Sequence, residues 1–261
     1  MMISTSLRWQ FPISGNYSWM ESFADNNAAG DDFTIIRDVE DDKPPAYAWA
    51  SRHLDDLEEG QSVLDRAAAL KALYDGALVV LYGHHRQPLT ELWDAVAGMT
   101  ITEIDGDVLA YPFSTQQIAR TSGLAGFERA KAAGLVAKWL HLARTDEAAR
   151  GILAFLGVNG ATWISLYACK DYVAKQGGWD EDRMASATGE PKAEFERFRQ
   201  TANNAAAIGP YARHGEVGWQ PPAIPMKLEE ASDLIRTAVR HFLGHRSMIL
   251  LERLKAEAEP S

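Results

Sequence analysis

The chain has 261 residues, 46% hydrophobic and 24% charged, a balance that excludes wholesale disorder and allows a real core in one large domain or two modest ones. Its net charge of −10 is uneven: residues 1–125 carry 8 Lys+Arg against 19 Asp+Glu, and residues 126–261 carry 18 against 17. An acidic first half and a nearly neutral second half exclude an extended DNA-binding surface. The 11 basic and 8 acidic side chains of residues 183–255 still leave room for a small basic pocket.

Taken in chain order, the first elements are strands. Leu7, Trp9 and Phe11 alternate with Ser6, Arg8 and Gln10, the period of a half-buried strand over residues 6–11. After the turn-forming run at residues 25–32, residues 33–39 and 46–50 are further strand candidates, divided by Lys43-Pro44-Pro45. Val63, Ala67, Leu70, Tyr74, Ala77, Leu78 and Leu81 fall at helical spacing, so a helix is expected over residues 62–82 with Gly83 as its stop. Asp105-Gly106-Asp107 between two apolar runs predicts a tight hairpin joining strands at 99–104 and 108–113, with Gly106 at positive φ.

Beyond Gly126 the period is helical. Helices are expected over residues 127–143, 146–156, 161–175, 192–206 and 228–254. The last has acids early (Glu229, Glu230, Asp233) and bases late (Arg236, Arg240, Arg246), as the helix dipole favours, with Gly244 as a point to bend or split it. The expected fold is therefore α+β: a strand-rich region over residues 1–125, a sheet with a packed helix, and a helical bundle over 126–261.

Most chemical motifs are missing. There is no Gly-rich phosphate loop, no G-x-S-x-G and no H-E-x-x-H. The run from Asp25 places Ala29 and Ile36 where a calcium loop needs oxygen ligands, and the adjacent His84 and His85 point apart, so neither a metal nor a cofactor is expected. The single cysteine, Cys169, lies in a helical run with no histidine nearby and is expected to be a small buried hydrophobe. No stretch approaches the roughly 18 apolar residues of a membrane span. The N-terminal segment lacks a basic head followed by an apolar core, so the expected location is cytoplasmic.

The candidate site is the polar block from Phe195 to Gly215. Asn203 there sits at a helix end, and Arg213 and His214 precede a proline-rich stretch. If Asn203, Arg213 and His214 converge, they could hold an anion and move a proton, since His titrates near neutrality. The alternative is ordinary capping of a helix end and a surface turn.

Three runs in this half carry a resemblance: F-x-x-T-A-N at 198–203, A-R-H-G at 212–215, and P-P-x-x-P-M-x-L-x-E-A at 221–231. The region resembles the C-terminal end of a group of uncharacterised bacterial proteins, which implies an architecture and no particular activity. More loosely it is similar to HEPN domains, helical bundles that often dimerise and in many cases cut RNA. Their Arg-to-His signature fits Arg240 through His245, and also Arg236 through His241. That resemblance implies a metal-independent endoribonuclease in which Arg213, His214, Arg240 and His245 act on the ribose 2′-hydroxyl and the phosphate. The competing expectation is a non-catalytic interaction or sensor module of a bacterial defence or toxin-type system, with eight Trp and eight Tyr partly lining a recognition surface. Expected partners are a protein or RNA, with homodimerisation implied by the HEPN likeness.

Overall fold

A computed structural model of the chain describes residues 7–13, 21, 30–38, 46–58, 60–83, 91–102, 105–213 and 220–259. Strands β1 (Trp9–Ile13), β2 (Thr34–Asp38), β3 (Ala46–Ala50), β4 (Leu92–Asp94) and β5 (Met99–Ile101) form one antiparallel sheet in the order β2-β3-β1-β4-β5. Phe11 of β1 and Ile35 of β2 both lie opposite Trp49 of β3, so three strands contribute one buried row. The Phe11 and Trp49 rings meet edge to face at 5.3 Å.

Helix α1 (Gln61–Tyr82) packs on this sheet through Tyr74, whose ring lies 4.7 Å from Phe33 and 6.1 Å from Trp49. Every residue of α1 from Ala67 to Val80 is buried, the mark of a helix covered on all sides. The further helices are α2 (Thr115–Thr121), α3 (Gly123–Ala132), α4 (Leu135–Ala143), α5 (Glu147–Asn159), α6 (Trp163–Gly177), α7 (Glu181–Thr188), α8 (Lys192–Ala202), α9 (Ala205–Ile208) and α10 (Leu228–Ala258), of which α4, α5 and α10 pack on α1. Helices α1 and α5 cross at van der Waals distance, because Gly76 lies under the Leu153 carbonyl and Gly157 under the Ala72 carbonyl. One continuous buried cluster runs from Trp9 in the sheet to Leu254 in α10.

The architecture is α+β, with all described strand before residue 102. Several local expectations are corrected. The hairpin joins β4 to β5, and its tight turn is at 95–98, where Gly98 takes φ 66° and the Asp94 carboxylate accepts the Val96 and Ala97 amides. Asp105 and Asp107 instead bind the start of α1, through Gln61 Nε2 and the Asp65 carboxylate. Gly106 packs against the Leu64 carbonyl without a positive φ, and residues 108–113 hold a turn at 108–109 and no strand. The helix expected over 127–143 is two, broken at Gly134 (φ 113°), and the one expected to reach 206 ends at Ala202. Gly244 interrupts nothing: α10 runs for 31 residues.

Candidate functional site

The block around Asn203 is a set of mutual hydrogen bonds. Asn203 ends α8, its Nδ2 donating to the Tyr167 hydroxyl at 3.2 Å. Arg213 lies over the ring of the same tyrosine at 4.4 Å, pairs with Asp171 at 3.3 Å, and donates its backbone N–H to the Ala202 carbonyl. The Thr201 hydroxyl oxygen accepts the Met226 amide, and the Glu230 carboxylate accepts the Lys227 amide at the start of α10. The described parts of the three sequence runs are thus pinned to α6 and to one another. Arg213 and Asn203 do converge, but on Tyr167, with Asp171 compensating the arginine's charge. His214 lies outside the described residues, as do His84 and His85.

Arg240 and His245 occupy a different place. They line an open cleft of about 610 Å³ between α7 and α10, to which α4 contributes Lys138. Arg183, Ser186, His241 and Trp179 complete its polar and aromatic lining among the described residues, where no carboxylate lines it. Positions 240, 241, 244, 245 and 248 form one face of α10, so helical spacing brings the cationic and imidazole groups to one wall. Arg240 is anchored by hydrogen bonds to the Val80 and Leu81 carbonyls at the end of α1. Arg183 stacks over Trp179 at 4.8 Å and approaches His245 Nε2 at 3.4 Å. Trp179 Nε1 and His245 Nδ1 are buried with no hydrogen-bond partner among the described residues. Burial, with Lys131 nearby, lowers the Lys138 ammonium below the usual lysine value. Neither Asn203 nor Arg213 lines this cleft, so the four described residues of the expected site lie in two places.

A third cluster was not visible in the sequence. His53 is fully buried, its Nε2 2.8 Å from Asp32 Oδ1 and its Nδ1 accepting the Ser114 backbone N–H, which puts the proton on Nε2. Arg144 Nε donates to the same Asp32 oxygen at 2.6 Å, and Nη1 donates to Thr121. Burial raises the Asp32 carboxyl, but the His53 hydrogen bond and the Arg144 charge outweigh it and hold it below the ordinary carboxylate value. Asp, His and Ser are all present, yet the Ser114 hydroxyl donates to Asp56 and caps α2 rather than facing the imidazole. This cluster is a clamp between the strand region and the helices, without the geometry of an activated nucleophile.

Cys169 is buried and its thiol is pushed up to about 12, which removes it as a nucleophile at neutral pH. Among the described residues no three His, Cys, Asp or Glu side chains form a metal-binding group, and no helix is long and apolar enough to cross a membrane. No family model, no curated protein and no solved structure matches the chain.

Proposed function

We propose that the chain is a non-catalytic interaction or sensor module, of the kind used in bacterial defence or toxin systems, and that it takes a single-stranded RNA on the cleft between α7 and α10. The observation that supports this reading is the lining itself: Lys138, Arg183, Arg240, His241 and His245 with no carboxylate among the described residues, in a protein whose net charge is −10. Cations gathered against the sign of the whole molecule are what phosphate recognition requires. Trp179 Nε1 and His245 Nδ1 lie beside them without a hydrogen-bond partner among the described residues. Fluorescence anisotropy with a labelled 12-nucleotide RNA tests it. Arg183→Ala with Lys138→Ala should weaken binding on the order of tenfold and flatten its salt dependence. No binding at low salt, or a double variant indistinguishable from the parent, ends the reading.

The second reading is a HEPN-like metal-independent endoribonuclease, and one observation favours it. His241 and His245 line the same cleft as Arg183 and Arg240, two imidazoles that could exchange protons beside cations that could hold a phosphorane. Cleavage of the same RNA in EDTA, lost in His241→Ala or His245→Ala while binding persists, would establish catalysis over binding alone. In this reading Arg240 and His245 carry the chemistry and Arg213 does not.

A further inference from the structure

Further along α10, a second cavity of about 310 Å³ is lined by side chains unrelated to the cleft. Ile118, Leu250 and Leu254 give it apolar walls, while His141, Arg144 and Arg253 give it polar ones. Ser122 and Gly123 also line it, so the ten-residue helix α3 begins there, and the side chain of its N-cap residue Ser122 makes no capping hydrogen bond among the described residues.

The buried polar groups point the same way. The Arg144 side chain is 2% exposed; its Nε is taken by Asp32 and its Nη1 by Thr121, leaving Nη2 without a partner among the described residues. His141 is 5% exposed and its Nδ1 likewise has no partner among them. A buried guanidinium nitrogen and imidazole nitrogen left unmatched beside a cavity cost free energy unless a ligand meets them. Two carboxylates limit the charge the site can take: Asp32 behind Arg144, and Glu257, which lies 3.7 Å from Arg253 at the rim.

We propose that this pocket binds a small organic carboxylate. Its oxyanion meets Arg144 Nη2, the first amides of α3 and Arg253, and its hydrocarbon body lies on Ile118, Leu250 and Leu254. With Asp32 and Glu257 nearby the cavity is close to neutral overall, so it suits a monoanion held by directed hydrogen bonds and apolar contact. The proposal is independent of the RNA cleft.

Titration calorimetry of the whole chain with octanoate tests it, with 1-octanol as the uncharged control and inorganic phosphate as the bare oxyanion. Octanoate should bind one to one with a Kd of about 1 mM or tighter, and both controls at least fivefold more weakly, on the order expected for a ligand of this size. Arg253 and Glu257 are 55% and 63% exposed, so substitutions there leave the core intact. Arg253→Gln should weaken octanoate roughly two- to fivefold and Glu257→Gln should tighten it by a similar factor, as rim charges do. Arg183→Ala in the other cleft should change nothing. The proposal is overturned by the absence of saturable octanoate binding, by octanol or phosphate binding as well as octanoate, by unchanged affinity in both rim variants, or by loss of binding in Arg183→Ala.

Discussion

His141 and His53 are both buried near Arg144, and their surroundings treat them differently. His53 spends both ring nitrogens on hydrogen bonds, whereas His141 packs edge to face on Phe127 and leaves Nδ1 unmatched among the described residues. Burial, reinforced by the Arg144 charge, lowers the His141 imidazole to about 4. An unfolded histidine titrates near 6.5, so between about pH 6.5 and 4 the unfolded chain takes up a proton that the fold refuses. The folded value is depressed, so this stability is present above pH 6.5 and is lost as pH falls toward 4, up to about 3 kcal/mol. Asp32 acts in a separate and lower window, since its carboxyl sits below the ordinary value and its contribution is lost only at more acidic pH. Denaturant titrations at pH 7 and pH 4.5 check this: the acid loss should be about 2 kcal/mol smaller in His141→Gln than in the parent. Equal losses would show that His141 is protonated in the fold. At this scale the sequence was legible only where one helix carries the partners. Arg240 and His245 share a wall because they share α10, but Lys138, Arg183 and Trp179 reach that wall from other elements. His53 and Arg144 lie 21 and 112 residues from Asp32, separations that no local spacing reveals.

Among elements, the closest approach is the crossing of α1 and α5. A Cβ on Gly76 would overlap the Leu153 backbone, and one on Gly157 would overlap the Ala72 backbone, so no rotamer change can relieve either. Gly157→Ala must push two helices apart inside the core and should cost about 2–3 kcal/mol, within the range of overpacking. Gly244 is also inside a helix, but a Cβ there meets nothing within 4 Å. Gly244→Ala should therefore stabilise α10 by about 0.5–1 kcal/mol, the gain in helix propensity. Thermal melts of the two variants decide the matter: a neutral Gly157→Ala would mean that the crossing is looser than the structure shows. The existence and type of the long helices followed from periodicity, because α1, α5, α6 and α10 each repeat apolar residues every three or four positions. Their environment did not, since a helix buried on all sides and one buried on a single face can share that period. The hairpin was misplaced for a related reason. Asp-Gly favours a turn wherever it stands, and here Asp105 and Asp107 use theirs to hold α1, leaving the β4–β5 turn to Asp94 and Gly98.

For the whole molecule, the change from strand to helix between residues 101 and 115 is a boundary in secondary structure that the core ignores. Helix α1 belongs by sequence to the first part, yet α5 closes over its glycine, and Arg236 and Arg240 of α10 bind the carbonyls at its end. Asp32 and His53 in the first part are likewise joined to Arg144 in the second. A fragment of residues 126–261 would therefore expose the apolar surface that α1 covers and leave Arg144 buried without its carboxylate, a loss of several kcal/mol on the scale of a broken buried pair. Marginal domain stability does not absorb that loss. The intact chain should unfold in one cooperative transition seen alike by circular dichroism and tryptophan fluorescence, while the 126–261 fragment should melt broadly with little cooperativity. Mixing it with the 1–125 fragment should restore helical signal beyond the sum of the parts. A cooperative transition in the isolated 126–261 fragment, near the midpoint of the intact chain, would instead show that the bundle carries its own core and that the ties through α1 and Arg144 are accessory.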